Sequence, residues 1–429
     1  MKGNSHLKNR ISFLGAVSIG IGGMIGAGIF SILGVVAQAA GSAMWLSFLI
    51  GGFIILFSTY SYAKLGAKYP STGGAVEFLV QGWGKGVMSG GINVFMWIGY
   101  IISIALYAQG FAAYCQTFFT NTASSFMTKT ISISIVLLFA FINMLGASSV
   151  GKSELIIVII KVSILILFAA VGMFYIHPDY LAIATWPSSQ SILFGTGILF
   201  IGYEGFGLIT NAAGDMLNPH QNLPRALYLS VFIVIAIYLA VSITVIGNLS
   251  PHQIFIAGDY ALAAAAKPFL GSMGFKLISI AALFSTASAI NATLFGAANV
   301  SYMIARDGEL SPFFSRTEWR GATEGLLITT ALVIIFILFF NLAGVTMMGS
   351  SAFLLIYAAV NAGHLKILSN TGANLLLVLI GCLLCIAMFC LLEIYTYQHA
   401  PAAVYTMIVL LGGSFLLERF FYFRRVLSL

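Results

Sequence analysis

The sequence predicts an all-α polytopic membrane protein with about twelve transmembrane helices, and three observations predict it. First, 60% of the 429 residues are hydrophobic and only 7% are charged, with a mean hydropathy of +1.02. A soluble domain carries about 25% charged residues, and no soluble core could bury this apolar excess. Second, the apolar residues fall in runs close to or above the ~20 that a helix needs to cross ~30 Å of hydrocarbon. Third, two of these runs are broken by glycines, at Ile19-Gly-Ile-Gly-Gly-Met-Ile-Gly-Ala-Gly-Ile-Phe30 and at Phe200-Ile-Gly-Tyr-Glu-Gly-Phe-Gly207. A helix loses roughly 1 kcal/mol per Gly relative to Ala, so these segments predict local unwinding. Matching interruptions in two halves of a chain point to a secondary transporter with its solute near the bilayer midplane. Close helix packing through small residues is the simpler alternative.

Taken in order, the apolar runs divide at charged, Pro-containing and Asn/Ser-rich gaps. They give spans at about 11–37, 43–67, 86–119, 130–148, 153–176, 190–214, 226–248, 274–305, 324–341, 343–362, 372–392 and 400–418. The first run follows a polar start and is too long and too Gly-rich for a signal peptide, so it is kept as a span. Between the second and third spans, Glu77 and Lys85 mix with Phe78, Leu79 and Trp83, as in a short interfacial helix. After the sixth span, Asn218-Pro-His-Gln-Asn-Leu-Pro224 stops the helix with two prolines. The alanine-rich stretch before Pro268 predicts a short external helix.

Charge orients the chain. With the N-terminus in the cytoplasm, fifteen of the 19 Lys and Arg residues lie inside, Lys129, Lys267 and Lys276 lie outside, and Lys161 is left within the membrane. That asymmetry obeys the positive-inside rule and places both termini in the cytoplasm of a cell (inner) membrane protein. The net charge of +7 marks topology and predicts no nucleic-acid partner. Membrane lipid is the expected surrounding.

Broken first and sixth helices offer chemistry for one class of solute. A break exposes amide N–H groups on one side and carbonyls on the other, fit for a carboxylate and an ammonium. An α-amino acid carries both groups on one carbon. The expected donors are Gly26, Ala27 and Gly28 beside Met24, and the carbonyls those of Ile201, Tyr203 and Glu204. Ser103 and Tyr107 of the third span and Asn291 of the eighth are the side-chain candidates for the pocket.

Lys161 is the sharpest single residue, because an ionisable group within a span is expensive and marks function by default. A snorkelling lysine is the alternative. A buried amine can trade its proton, and its ammonium can stand where a metal cation might otherwise sit. Ser285 and Ser288, in the hydroxyl-rich stretch of the eighth span, are its candidate partners. Glu204, a carboxylate in the second break, could share protons, favour cationic substrates, or do neither at the edge of a vestibule. Asp215 is expected to cap or gate the end of the sixth span. Cys382 and Cys385 have CxxC spacing without a His or a second pair, so no metal and no cofactor are expected. The histidines form no cluster, so the chain is not expected to be an enzyme.

These residues carry a resemblance. Gly23-Met-Ile-Gly-Ala-Gly-Ile-Phe30, Tyr62-Ala-Lys-Leu-Gly-Ala-Lys68 and Val150-Gly-Lys-Ser-Glu-Leu155 resemble the amino acid–polyamine–organocation (APC) superfamily. So do Asn211-Ala-Ala-Gly-Asp-Met-Leu-Asn-Pro219, Ala266-Lys-Pro-Phe-Leu-Gly271 and Ser288-Ala-Ile-Asn-Ala-Thr293 running to Arg306-Asp-Gly-Glu-Leu310. The resemblance covers about Ile11 to Lys366. It implies a five-plus-five inverted repeat of the LeuT type, with spans one and six unwound. The division is then a tail at 1–10, repeats at 11–176 and 190–362, two appended helices at 372–418 and a tail at 419–429. It also implies that Lys161 fills the family's sodium position, near the Gly22 carbonyl and a serine of the eighth span. The expected function is proton-coupled, sodium-independent symport of neutral L-amino acids by alternating access, with L-amino acid and proton as partners. One departure bears on substrate range, because the member resembled most aligns an uncharged residue with Glu204. An exchanger that also takes cationic amino acids, and a transport-dead amino acid sensor, are the rival readings.

Overall fold

A computed structural model describes residues 11–119, 124–144, 150–306 and 324–427. Among them the chain is helical almost throughout, and the one β-contact is an isolated bridge between Ile11 and Met216. The last residues of the fourth span expected from sequence, the 1–10 tail and the Arg316 and Arg320 topology markers lie outside the described residues.

Helices occupy all twelve expected positions. Among the described residues, ten stretches are long and apolar enough to cross a membrane; the first, Phe13–Lys68, contains two helices, and Glu324–Phe339 is a shorter apolar helix. The chain is thus an integral, all-α polytopic membrane protein. Side-chain oxygens cap several of these helices where no preceding turn can satisfy their first amides. Ser12 accepts from the Gly15 amide at 3.1 Å, Asn341 from Gly344 at 2.9 Å and Asn374 from Leu376 at 2.8 Å.

The connectors follow the sequence with one correction. The interfacial helix is Ala75–Trp83, and the alanine-rich stretch forms Ala261–Ala265. Of Pro219 and Pro224, expected to end the sixth span, Pro219 instead begins the seventh helix, Pro219–Asn248, and Pro224 lies within it. Proline lacks an N–H and its fixed φ suits a first helical turn, so Pro219 at the N-terminus costs nothing there. Asn218 before it turns the chain with φ 47°.

The first helix corrects a second expectation. Phe13–Ala40 runs as one continuous α-helix through Gly20, Gly22, Gly23, Gly26 and Gly28, with no unwinding. Its glycines serve close approach instead. A Cβ on Gly23 would lie 2.9 Å from the Gly205 Cα, and one on Gly28 would collide with the Tyr238 hydroxyl. Glycine is spent here on bringing the first, sixth and seventh spans together.

Candidate functional site

The sixth span does break. It runs as α-helix over Ser189–Ile198, tightens to a 3₁₀ turn over Leu199–Tyr203, turns at Glu204 and Gly205, and resumes as Phe206–Asn211. Every residue from Leu199 to Phe206 is buried. A break in lipid leaves backbone groups that must find partners inside the protein. The 3₁₀ turn pairs some of them at i,i+3, and two side chains bond the stretch from neighbouring helices. The Ser350 hydroxyl, from the tenth span (Leu342–Leu365), donates to the Ile198 carbonyl at 2.5 Å and accepts from the Ile201 amide at 3.0 Å. The Tyr238 hydroxyl lies 2.8 Å from the Gly202 carbonyl and 2.6 Å from the Met24 carbonyl, so it bridges both glycine-rich segments. Tyr62, Phe206 and Tyr357 pack edge-on and tilted at 4.9–5.9 Å on one side of the break. Tyr203 and Tyr238 pack at 5.3 Å on another.

Lys161 lies on the fifth span, Val150–Gly172, and is only 2% exposed, which removes the snorkelling alternative. Its amine donates to the Gly22 carbonyl at 2.9 Å. A Cβ built on Gly26 would lie 3.6 Å from the Lys161 Nζ, 3.4 Å from the Ser285 carbonyl and 3.0 Å from the Ala289 Cβ. The first, fifth and eighth spans therefore meet at Gly22–Gly26, with Lys161 and the Ser285 backbone both within 3.6 Å of the Gly26 Cβ position. The Ser285 hydroxyl is buried without a hydrogen-bond partner, and Ser288 is partly buried on the same helix.

Glu204 is buried at the end of the break. Its Oε2 accepts from the Tyr107 hydroxyl at 2.6 Å and from the Ser103 hydroxyl at 3.1 Å, while Oε1 has no partner. The sequence singled out all three residues without linking them; the structure brings them together between the third and sixth spans. The carboxyl does not line an open vestibule in this state.

Other expected site residues go elsewhere. Asn291 lies two residues, about 200° of helical turn, beyond Ala289, and its side chain accepts from Asn143 of the fourth span at 2.7 Å. The Tyr203 hydroxyl donates to the Phe48 carbonyl at 3.1 Å, so its side chain serves contact with the second span. The Asp215 side chain is exposed; its backbone carbonyl accepts from the Ile11 amide at 2.8 Å, and Leu217 donates to the Ile11 carbonyl at 3.1 Å. The end of the sixth span is thus pinned to the start of the first by backbone. Ile201 contributes its amide, to Ser350. Gly26, Ala27 and Gly28 lie within the continuous helix.

Sequence reasoning missed Tyr238 and Ser350. The readable sign for Tyr238 was an aromatic with a polar tip on the buried stripe Val231, Val234, Tyr238, Val241. For Ser350 it was the small-residue run Gly349-Ser350-Ser351 inside an apolar span. A separate cavity of about 190 Å³ lies at the ends of the first and seventh spans, lined by Gln38, Ser42, Tyr180, Leu249 and Phe255 among others.

Comparison with known proteins gives a consistent picture. The family model described as amino acid permease matches residues 11–415. The chain is 41% identical over 414 residues to an uncharacterised protein of Methanocaldococcus jannaschii, covering 96% of this chain and 95% of that one. It is 33% identical over 368 residues to the inner membrane transport protein YbaT of Escherichia coli, covering 86% of each. It is also 29% identical over 314 residues to the serine/threonine exchanger SteT of Bacillus subtilis, covering 72% of this chain and 70% of that one.

Proposed function

The chain belongs to the amino acid permease family of the APC superfamily, and from that premise we propose that it carries neutral L-amino acids in symport with protons and without sodium. It is a transporter and not an enzyme. The finer reading rests on one observation above all, the buried Lys161 amine on the Gly22 carbonyl at 2.9 Å. A protonated amine there holds the fifth span to the first. Loss of the proton frees the contact and favours the opposite access state, which makes the proton a driver of the cycle.

The substrate enters between the two glycine-rich segments. Its ammonium is received by carbonyls of the break and its carboxylate by amides of Gly26–Gly28, once that turn of the first helix opens. What supports the opening is that two carbonyls of this stretch, Gly22 and Met24, already face side-chain donors. The five-plus-five repeat, the cytoplasmic termini and the inner-membrane location complete the reading, motivated by the paired segments and the lysine and arginine bias. Uptake of each of the twenty amino acids into sodium-free proteoliposomes under an imposed pH gradient tests it. Neutral amino acids should accumulate, and their methyl esters should compete at least about tenfold worse, the scale of one lost charge-assisted hydrogen bond. Equal competition by the ester would exclude this binding geometry.

A second reading is exchange that includes cationic amino acids. It is favoured by one feature, the unpartnered Oε1 of Glu204 beside the break.

A further inference from the structure

Four buried polar side chains line up from the break toward the end of the tenth span, each with an atom that has no hydrogen-bond partner among the described residues. Glu204 offers Oε1, Tyr357 its hydroxyl, Asn361 Oδ1 and His364 Nδ1. None of the four is more than 4% exposed. Tyr357, Asn361 and His364 stand at i, i+4 and i+7 of Leu342–Leu365, on one face of the helix and over about 10 Å of its length. The Glu204 charge acts on the Tyr357 hydroxyl, so the stripe begins at the break. It ends in the connector after the tenth span, where the His364 Nε2 lies 2.8 Å from the Thr371 hydroxyl. Thr371 donates its own proton to the Leu368 carbonyl at 3.2 Å. Nε2 therefore carries the imidazole proton, and Nδ1 is left as a buried acceptor.

The second span closes one side of the stripe. Tyr62 packs on Tyr357 at 5.9 Å between ring centroids, and the Asn361 Nδ2 donates to the Ser58 hydroxyl at 3.1 Å. Lys64 is the charge that acts on His364, while Lys366 sits over the Trp83 ring. Polar contacts that only hold helices together satisfy their own atoms. A buried polar atom without a partner costs about 1–3 kcal/mol, and proteins meet such atoms with ordered water.

We infer that this stripe is a proton lane, a water-bridged route by which the coupled proton passes between the break and the cytoplasm without following the substrate. The inference rests on the proton-symport reading above and deepens it by giving the proton its own way out. The lane starts beside the coupling lysine, because Gly205, next to Glu204, lies against Gly23, and Lys161 holds the Gly22 carbonyl. A proton given up there adds to the Glu204 Oε1, which later hands it on. The Tyr357 hydroxyl takes one proton and releases its own. Asn361 keeps water in line through Oδ1. His364 takes a proton at Nδ1 and releases the one on Nε2 toward Thr371, and exchange with water restores its first tautomer. Each O–H or N–H bond broken is matched by one formed, so one proton leaves and the lane keeps no charge.

Two variants test the lane. Tyr357→Phe keeps the ring among Tyr62, Phe206 and Phe353 and removes only the hydroxyl. His364→Ala removes the exit. Both are compared with wild type in proteoliposomes, for net uptake under a pH gradient and for exchange against internal substrate. In exchange the carrier returns loaded and protonated, so no proton has to leave it. Net uptake should slow at least about threefold in each variant, a small part of what a positioned proton-transfer group can contribute. Exchange and substrate affinity should stay at their wild-type values, and the slowed net uptake should fall further in D₂O. Unchanged net uptake in Tyr357→Phe, or equal loss of net uptake and exchange, would overturn the lane and leave the stripe a helix contact. Tyr357→Phe decides the matter even where His364→Ala does not fold. Wild-type protein that takes up substrate with no proton movement, followed with a pH-sensitive dye inside the vesicles, would overturn the symport reading itself.

Discussion

Tyr107 donates its hydroxyl to Glu204 at 2.6 Å, joining the third and sixth spans at the end of the break. With Ser103 on the same oxygen, the carboxyl is committed to the helix contact through Oε2, while Oε1 is buried without a partner. The account predicts that neutral amino acids are preferred, and that Glu204→Gln leaves this preference in place because its amide oxygen still accepts from Tyr107. Competition uptake with leucine, serine, lysine and arginine checks it. Preference for the cationic pair, lost in Glu204→Gln, would move the carboxyl into substrate recognition.

Tyr238 spans the Met24 and Gly202 carbonyls, so Tyr238→Phe removes the one hydroxyl proton that these two carbonyls share. Thermal unfolding in detergent should show a loss on the order of 1–3 kcal/mol, accompanied by slower transport. An unaltered melting curve would mean that the bridge contributes nothing.

Gly205 and Gly207 sit two residues apart yet should respond differently to alanine. A Cβ on Gly205 would collide with the Gly23 and Met24 backbone, which cannot move aside as a side chain can. Overpacking of that kind costs about 2 kcal/mol or more, and Gly205→Ala should lose transport. At Gly207 the nearest atom is 3.9 Å away, in Tyr62, so Gly207→Ala should fold and transport normally. Equal tolerance at both positions would contradict the close packing of the first and sixth spans.

Asp259 lies in the connector after the seventh span, where burial pushes its carboxyl above the ordinary value. The folded chain therefore holds this proton to higher pH than the unfolded chain does, and stability falls as pH rises above the ordinary carboxylate value. Asp259→Asn removes the penalty. Its melting temperature should exceed that of the wild type at neutral pH, and the two should converge below about pH 4. A variant less stable at neutral pH would show that the ionised carboxylate is the favoured form.

Span positions were legible because the membrane leaves a coarse signal, runs of apolar residues of fixed length. The sixth break was legible for the same reason that the first was misread. Glycines mark both, and composition does not distinguish a glycine that unwinds a helix from one that admits a neighbour. At Gly23 and Gly28 the neighbours are Gly205 and Tyr238, far along the chain. Lys161 stood out because a charge is rare in lipid, and its burial agrees. Asn291 bonds Asn143 of the fourth span, a pairing across 148 residues of sequence that helical periodicity alone does not reveal. Ser350 was invisible because the turn it bonds lies on a different span, 149 residues away.

If the proton on Lys161 drives accumulation, as proposed, removing the amine uncouples the carrier from the pH gradient. Wild type and Lys161→Ala are reconstituted in proteoliposomes, an inside-alkaline pH gradient is imposed with and without sodium, and amino acid accumulation is followed. Wild type should concentrate substrate with or without sodium, while Lys161→Ala should only equilibrate it and retain partial substrate binding. Accumulation by the variant equal to wild type, or wild-type uptake that needs sodium and ignores pH, would contradict it.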